Sequence, residues 1–148
     1  MAAEARADVA VCIARLQPPQ QHHVDALCAL AAQYRAVWLI CGGVTQPPSV
    51  LNPWSLEERH ALLAAALPAH AMPTLLPVAD CWYDDLRWAA AVRAALVATE
   101  AAASRAIDVY GLERAGPAFY GACFPGWRAR ELPADIAPWD ATLHERLL

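Results

Sequence analysis

The sequence predicts an α/β fold, a single-domain doubly wound parallel sheet, and three observations carry that expectation. Short apolar runs recur along the chain, each of a length suited to a strand buried on both faces. Segments with apolar residues spaced for one helical face separate them. No linker, repeat or low-complexity tract interrupts the alternation, so residues 1–148 read as one domain. Repeated β–α–β units of this length imply parallel strands joined by crossovers.

The elements follow in order. Val9–Ala14 is a buried strand, and a Pro/Gln-rich loop leads from it to a helix over His22–Arg35, with Val24, Leu27, Cys28 and Leu30 on one face. Ala36–Cys41 is a second strand, ended by Gly42-Gly43, and Thr45–Trp54 is too rich in proline to continue either element. Ser55-Leu-Glu-Glu58 reads as a capping box opening a helix through Leu67, which Pro68 closes. Thr74–Val78 is a third strand, Asp84–Ala103 a long alanine-rich helix, and Ile107–Leu112 a fourth strand. A short helix around Phe119–Phe124, a last strand over Trp127–Leu132 and a final helix over Ala141–Leu148 complete the expectation. In such sheets ligands sit at the carboxyl ends of strands near the switch in strand order. The loop after the first strand, the Gly42-Gly43 loop and the loop after Val78 all fall on that edge.

Composition narrows the function. A hydrophobic fraction of 58% and a charged fraction of 18% describe a globular chain. Arg87 and Arg93 interrupt the longest apolar candidate, and the acidic and basic N-terminus lacks a signal core, so the reading is a cytoplasmic protein without a membrane span. A net charge of −4 argues against nucleic-acid binding. The five cysteines, Cys12, Cys28, Cys41, Cys81 and Cys123, have no metal-site spacing and read as small hydrophobes. The chain has no lysine: all positive charge comes from eleven arginines and any protonated histidine. That excludes a phosphate-loop lysine, a pyridoxal Schiff base and an adenylylated-lysine intermediate.

One junction stands out. Where the first strand's loop meets the helix opening at His22 and His23, unpaired backbone N–H groups and the helix dipole favour an anion, and Arg15 adds positive charge. The stretch Ala14-Arg-Leu-Gln-Pro-Pro-Gln-Gln-His-His23 resembles the G-R-F-Q-P-x-H-x-G-H motif of nicotinamide mononucleotide (NMN) adenylyltransferases, both the archaeal-type enzymes and the adenylyltransferase domain of bifunctional Nudix proteins. Arg15, Gln17, Pro18 and His23 match; Gln20 takes the first histidine's place and His22 the glycine's. Asn52-Pro-Trp-Ser-Leu-Glu-Glu-Arg59 is similar to the family's N-P-F-S/T-x-E-E-R, and Asp84-Asp-Leu-Arg-Trp88 to the segment whose tryptophan stacks on the nicotinamide ring. Phe124-Pro-Gly-Trp127 and Asp140-Ala-Thr142 resemble the F-P-x-W and closing S-T-x-x-R blocks, with Glu145 at the arginine position and Arg146 one residue late.

The resemblance implies a Rossmann-like nucleotidylyltransferase fold and adenylyl transfer from ATP to NMN, giving NAD and pyrophosphate. It assigns catalysis to His23, Gln20 and Arg15, ATP and phosphate contacts to Arg15, Gln17, Gln20, His23, Thr142 and Arg146, and mononucleotide contacts to Arg59 and Trp88. Mg²⁺ would accompany ATP, with no protein metal site, and homo-oligomerisation stays open. No Nudix motif follows, so hydrolase activity is not expected. Taken alone, His23 reads as a helix-start histidine, Arg59 as half of a surface pair with Glu57 or Glu58, Trp88 as core, and Asp84-Asp85 as acids suited to a helix N-terminus. The departures at Gln20, His22 and Glu145 keep two other readings in play: a nucleotide-binding pseudoenzyme or regulatory subunit, and a nucleotidylyltransferase with another phosphorylated acceptor. Losing one charged transition-state contact costs about 2.7–4 kcal/mol. Gln20→His is therefore expected to raise turnover in an NAD-forming assay, and an unchanged rate counts against Gln20's assignment.

Overall fold

A computed structural model of the chain describes residues 7–42, 53–81, 83–99, 106–113, 116–133 and 136. Five parallel strands form one sheet in the order β3-β2-β1-β4-β5: β1 (Val9–Ala14), β2 (Ala36–Cys41), β3 (Thr74–Pro77), β4 (Ile107–Gly111) and β5 (Arg128–Ala129). β1 pairs with β2 from Val9↔Ala36 to Ala14↔Cys41, and with β4 from Val9↔Ile107 to Ile13↔Gly111. The order reverses between β1 and β4, which makes the carboxyl ends of these two strands the switch point.

Helices cover both faces. α1 (Gln21–Ala31) and α2 (Leu56–Ala66) pack one core layer against Ala10, Cys12, Leu39 and Tyr110. α3 (Asp85–Val97) and α4 (Pro117–Cys123) pack the other against Val9, Val11, Ile40 and Val109. This alternation explains why β1 is apolar throughout: its successive side chains enter opposite layers, and both are closed to water. The predicted doubly wound sheet is the one observed. No helix among the described residues is long and apolar enough to cross a membrane.

Helix boundaries show local chemistry at work. Ser55 Oγ accepts the Glu58 N–H at 3.0 Å and Glu58 Oε1 accepts the Ser55 N–H at 3.0 Å, so the predicted capping box opens α2. Asp84 caps α3 by accepting the Arg87 N–H at 3.0 Å. α1 ends at Ala31, earlier than the spacing predicts, because Tyr34 turns into the core and the Arg35 N–H already pairs with Asp8 O at 2.9 Å at the entry to β2. α3 ends at Val97, where Thr99 Oγ1 donates to Leu96 O at 2.6 Å and diverts the backbone. The last strand is only Arg128–Ala129, since Trp127 is committed to an aromatic stack on Phe124. A 3₁₀ turn at Ala69–Ala71 follows Pro68 and escaped the sequence reading. The expected helix over Ala141–Leu148 and most of the Thr45–Trp54 loop lie outside the described residues.

One buried polar network braces the amino-terminal half of the sheet. Asp108 is 1% exposed; its Oδ2 accepts the Tyr34 hydroxyl at 2.6 Å and lies 2.9 Å from Arg130 Nε. The Tyr34 and Tyr110 hydroxyls share a hydrogen bond at 2.7 Å. A hydrogen bond to a charged acceptor contributes about 1.5–3 kcal/mol. Tyr34→Phe is expected to lower the unfolding free energy by that amount in a denaturant titration; a loss below about 0.5 kcal/mol would show the network to be energetically idle.

Candidate functional site

An open cleft of about 380 Å³ lies at the switch point. The ends of β1 and β2 supply Ala14, Arg15 and Gly42 to its wall, and the chain beyond β3 and β4 supplies Asp80 and Glu113. Trp88 from α3 and Phe119 and Tyr120 from α4 add an aromatic wall. The loops flagged in the sequence therefore do meet on one edge.

The floor is built by the backbone that leaves β1. Leu16 is fully buried with φ of 56°, a left-handed conformation costing a branched residue on the order of 1–3 kcal/mol. The turn aims two consecutive amides at one atom: Glu113 Oε1 accepts the Arg15 N–H and the Leu16 N–H, each at 3.0 Å. His23 Nε2 stands 3.2 Å from the same oxygen, an electrostatic contact outside hydrogen-bond alignment. Burial by itself would raise the Glu113 pKa, but His23 and the two amides outweigh it and hold the carboxyl below its ordinary value.

His23 is 3% exposed, and its Nδ1 accepts the Gln20 N–H at 2.9 Å. At the third helical position it reaches back as glutamate does in a capping box, and the neutral ring then carries its proton on Nε2. Gln20 itself is exposed. His22 lies ring to ring with His23, centroids 4.0 Å apart. Burial first, and then His23, lower the His22 pKa, so its imidazole stays neutral to lower pH than a free one.

Arg15 extends along the cleft wall and meets Asp80 in a two-pronged pair, Nη1 to Oδ1 at 3.1 Å and Nη2 to Oδ2 at 3.0 Å. Gly42 makes room for it: a Cβ there would sit 2.8 Å from Asp80 Oδ1. Arg59 is not the surface partner of Glu57 or Glu58. It is fully buried, its Nη1 donating to Arg15 O and Gly42 O, both at 2.8 Å, and its Nε to Ser55 O at 3.2 Å. Gln17 joins the same brace, donating to Trp54 O at 3.0 Å and accepting the Trp54 N–H at 2.9 Å. Two sequence blocks far apart in the chain are thus bonded through Gln17 and Arg59.

The aromatic wall has its own support. Trp88 packs on Phe124 with ring centroids 5.6 Å apart, and Phe124 stacks on Trp127 at 4.4 Å and 13°. Arg93 lies 4.8 Å over the Trp127 ring and donates to Pro125 O at 3.0 Å. The Phe-Pro-Gly-Trp block therefore backs the tryptophan that faces the cleft.

Of the residues singled out in the sequence, Arg15 and Trp88 line the cleft, and His23 approaches it from below through Glu113. Gln17 and Arg59 hold the loops that shape it, while Gln20 caps α1 through its backbone. Thr142 and Arg146 lie outside the described residues, as do Asn52 and Glu145. Sequence reasoning missed Asp80 and Glu113. Their only signal was position, each following a strand at the carboxyl edge. Removing Arg59 leaves two part-buried carbonyls without this donor, a loss on the order of 3 kcal/mol. Arg59→Met is expected to lower stability by that amount in a urea titration; a change under about 1 kcal/mol would refute the brace.

No protein-family model matches the chain. Among solved structures, it is similar to a bifunctional NMN adenylyltransferase/ADP ribose pyrophosphatase from Francisella tularensis, with a TM-score of 0.74 and 22% identity over 86% of this chain and 38% of that one. A second structure with that description, complexed with AMP and a manganese ion, matches with a TM-score of 0.71 and 22% identity, over 86% of this chain and 37% of that one. The chain spans less than two fifths of the length of either. What it shares with them is the fold: a five-stranded parallel Rossmann-like sheet with helices on both faces.

Proposed function

We propose that the protein transfers an adenylyl group from ATP to nicotinamide mononucleotide, forming NAD and pyrophosphate. The observation that carries this reading is the meeting of Arg15 and Trp88 on one cleft at the switch point. They come from two separate sequence blocks that resemble the same enzyme family, and the remaining described blocks brace them rather than scattering over the surface.

The reaction makes modest demands on the protein. A phosphate oxygen of the mononucleotide attacks the α-phosphorus of ATP, one P–O bond forms, and the α–β anhydride bond breaks as pyrophosphate leaves. The nucleophile is already anionic, so no general base is needed, and catalysis is positioning plus charge neutralisation. Arg15, His23 and the amides at the end of β1 are suited to the ATP phosphates, and Trp88 to stacking on a planar base. Thr142 and Arg146 are read as further phosphate contacts on the strength of the sequence resemblance alone. Gln17, Gln20 and Arg59 act in this reading through the loops they hold, and magnesium arrives on the ATP phosphates.

A second reading, nucleotide binding without catalysis, is favoured by two observations. Gln20 replaces a histidine that would carry charge, and the cleft lining includes three carboxylates, Asp80, Asp85 and Glu113, of which Asp80 is paired with Arg15. Calorimetry with ATP and with the mononucleotide, beside an NAD-formation assay in magnesium, separates the readings. Product formation and binding of both ligands are expected. Binding without product selects the second reading, and binding of neither overturns both. Stacking on an aromatic side chain is worth about 1–3 kcal/mol per base. Trp88→Ala is accordingly expected to raise KM for the mononucleotide about tenfold or more with KM for ATP little changed; an equal effect on both would remove Trp88 from that role.

A further inference from the structure

At the floor of the cleft, two amide donors and one ring nitrogen surround a single oxygen that belongs to the protein. The Arg15 and Leu16 amides donate to Glu113 Oε1 at 3.0 Å each, and His23 Nε2 stands 3.2 Å away. Consecutive amides presented by a turn that includes a left-handed residue make a concavity for anions. His23 is 3% exposed and its Nε2 stands beside the same oxygen, so a buried ring nitrogen closes the third side of the concavity. Glu113 is a quarter exposed and lines the cleft, so its carboxylate has solvent to retreat into.

From this geometry we infer that Glu113 is an internal competitor for the phosphate position: in the free protein its carboxylate fills the socket made by the Arg15 amide, the Leu16 amide and His23 Nε2, and a phosphorylated ligand enters by displacing it. The inference rests on the phosphate-binding part of the proposed function and adds to it a residue that sets affinity and selectivity. A bound carboxylate oxygen has the charge and acceptor chemistry of a phosphate oxygen, and two anions cannot share one socket without strong repulsion. A weakly charged or monodentate ligand would fail to expel Glu113. A polyphosphate, with more charge to place in the socket, would succeed. Exclusion of weak anions is then the device's effect, and lower affinity for the true ligand its cost.

The test uses inorganic tripolyphosphate, which carries the phosphate chemistry without any nucleoside, titrated calorimetrically into the full chain and into Glu113→Gln, Glu113→Ala and Asp85→Asn. Glu113→Gln and Glu113→Ala are expected to bind about tenfold more tightly than the unaltered protein. Asp85→Asn removes a carboxylate from the same cleft but not from the socket, and is expected to change affinity less than about twofold. A gain at Asp85→Asn equal to that at Glu113→Gln would reduce the effect to general charge and overturn the proposal, as would unchanged or weaker binding in the Glu113 variants. The unaltered protein provides a check that needs no variant. Saturating tripolyphosphate is expected to shift the amide resonances of Arg15 and Leu16 and the side-chain carboxyl resonance of Glu113, and an unmoved Glu113 resonance overturns displacement. A chain that behaves this way yet forms no NAD leaves the socket standing while the catalytic reading falls.

Discussion

The structure depends on how four strand ends are tied together at the carboxyl edge of the sheet. Parallel strands bring their ends to one edge but do not fix the loops that leave it, and each departing loop exposes amides and carbonyls that must be satisfied. Here side chains supply the partners. Glu113, just beyond β4, collects the first two amides beyond β1. Arg59, from α2, collects carbonyls beyond β1 and β2. Arg15 reaches to Asp80 beyond β3. Four of the five strands are thereby locked at one end by charged groups lining or underlying a single cleft.

This arrangement explains the division of labour around the cleft. Its polar edge is shaped by loops that Gln17 and Arg59 brace, and holding loops in place in that way is what charge-stabilising sites require. Its other wall is aromatic and is held by ring packing, Trp88 on Phe124 on Trp127. The aromatic wall belongs to the core layer of α3 and α4, and the polar edge to the strand ends where the sheet reverses its order. A ligand with a planar ring at one end and an anionic group at the other matches that division.

The fold was legible because its signal recurs: β1 and β2 are apolar on both faces, and the capping box of α2 and the acidic cap of α3 announce their helices. Element ends were less legible where tertiary contacts overrule local pattern, as when Tyr34 abandons the helical stripe to reach Asp108. The site was half legible. Arg15, Arg59 and Trp88 could be marked because they sit in recognisable blocks, but nothing in those blocks says that Arg59 is buried and bonded to carbonyls. Glu113 and Asp80 were invisible for the same reason: their meaning arises only when β4 is placed beside β1 and β3 beside β2, a relation of register rather than of neighbouring residues.

The most direct test of the central claim, that the switch-point cleft is a nucleotide site, is a crystal structure of the protein grown with ATP and magnesium. The expected density places the phosphate tail within hydrogen-bond distance of the Arg15 and Leu16 amides, with the Glu113 side chain rotated toward solvent. Nucleotide bound elsewhere on the surface, or a cleft still closed by Glu113 at saturating ATP, would contradict it.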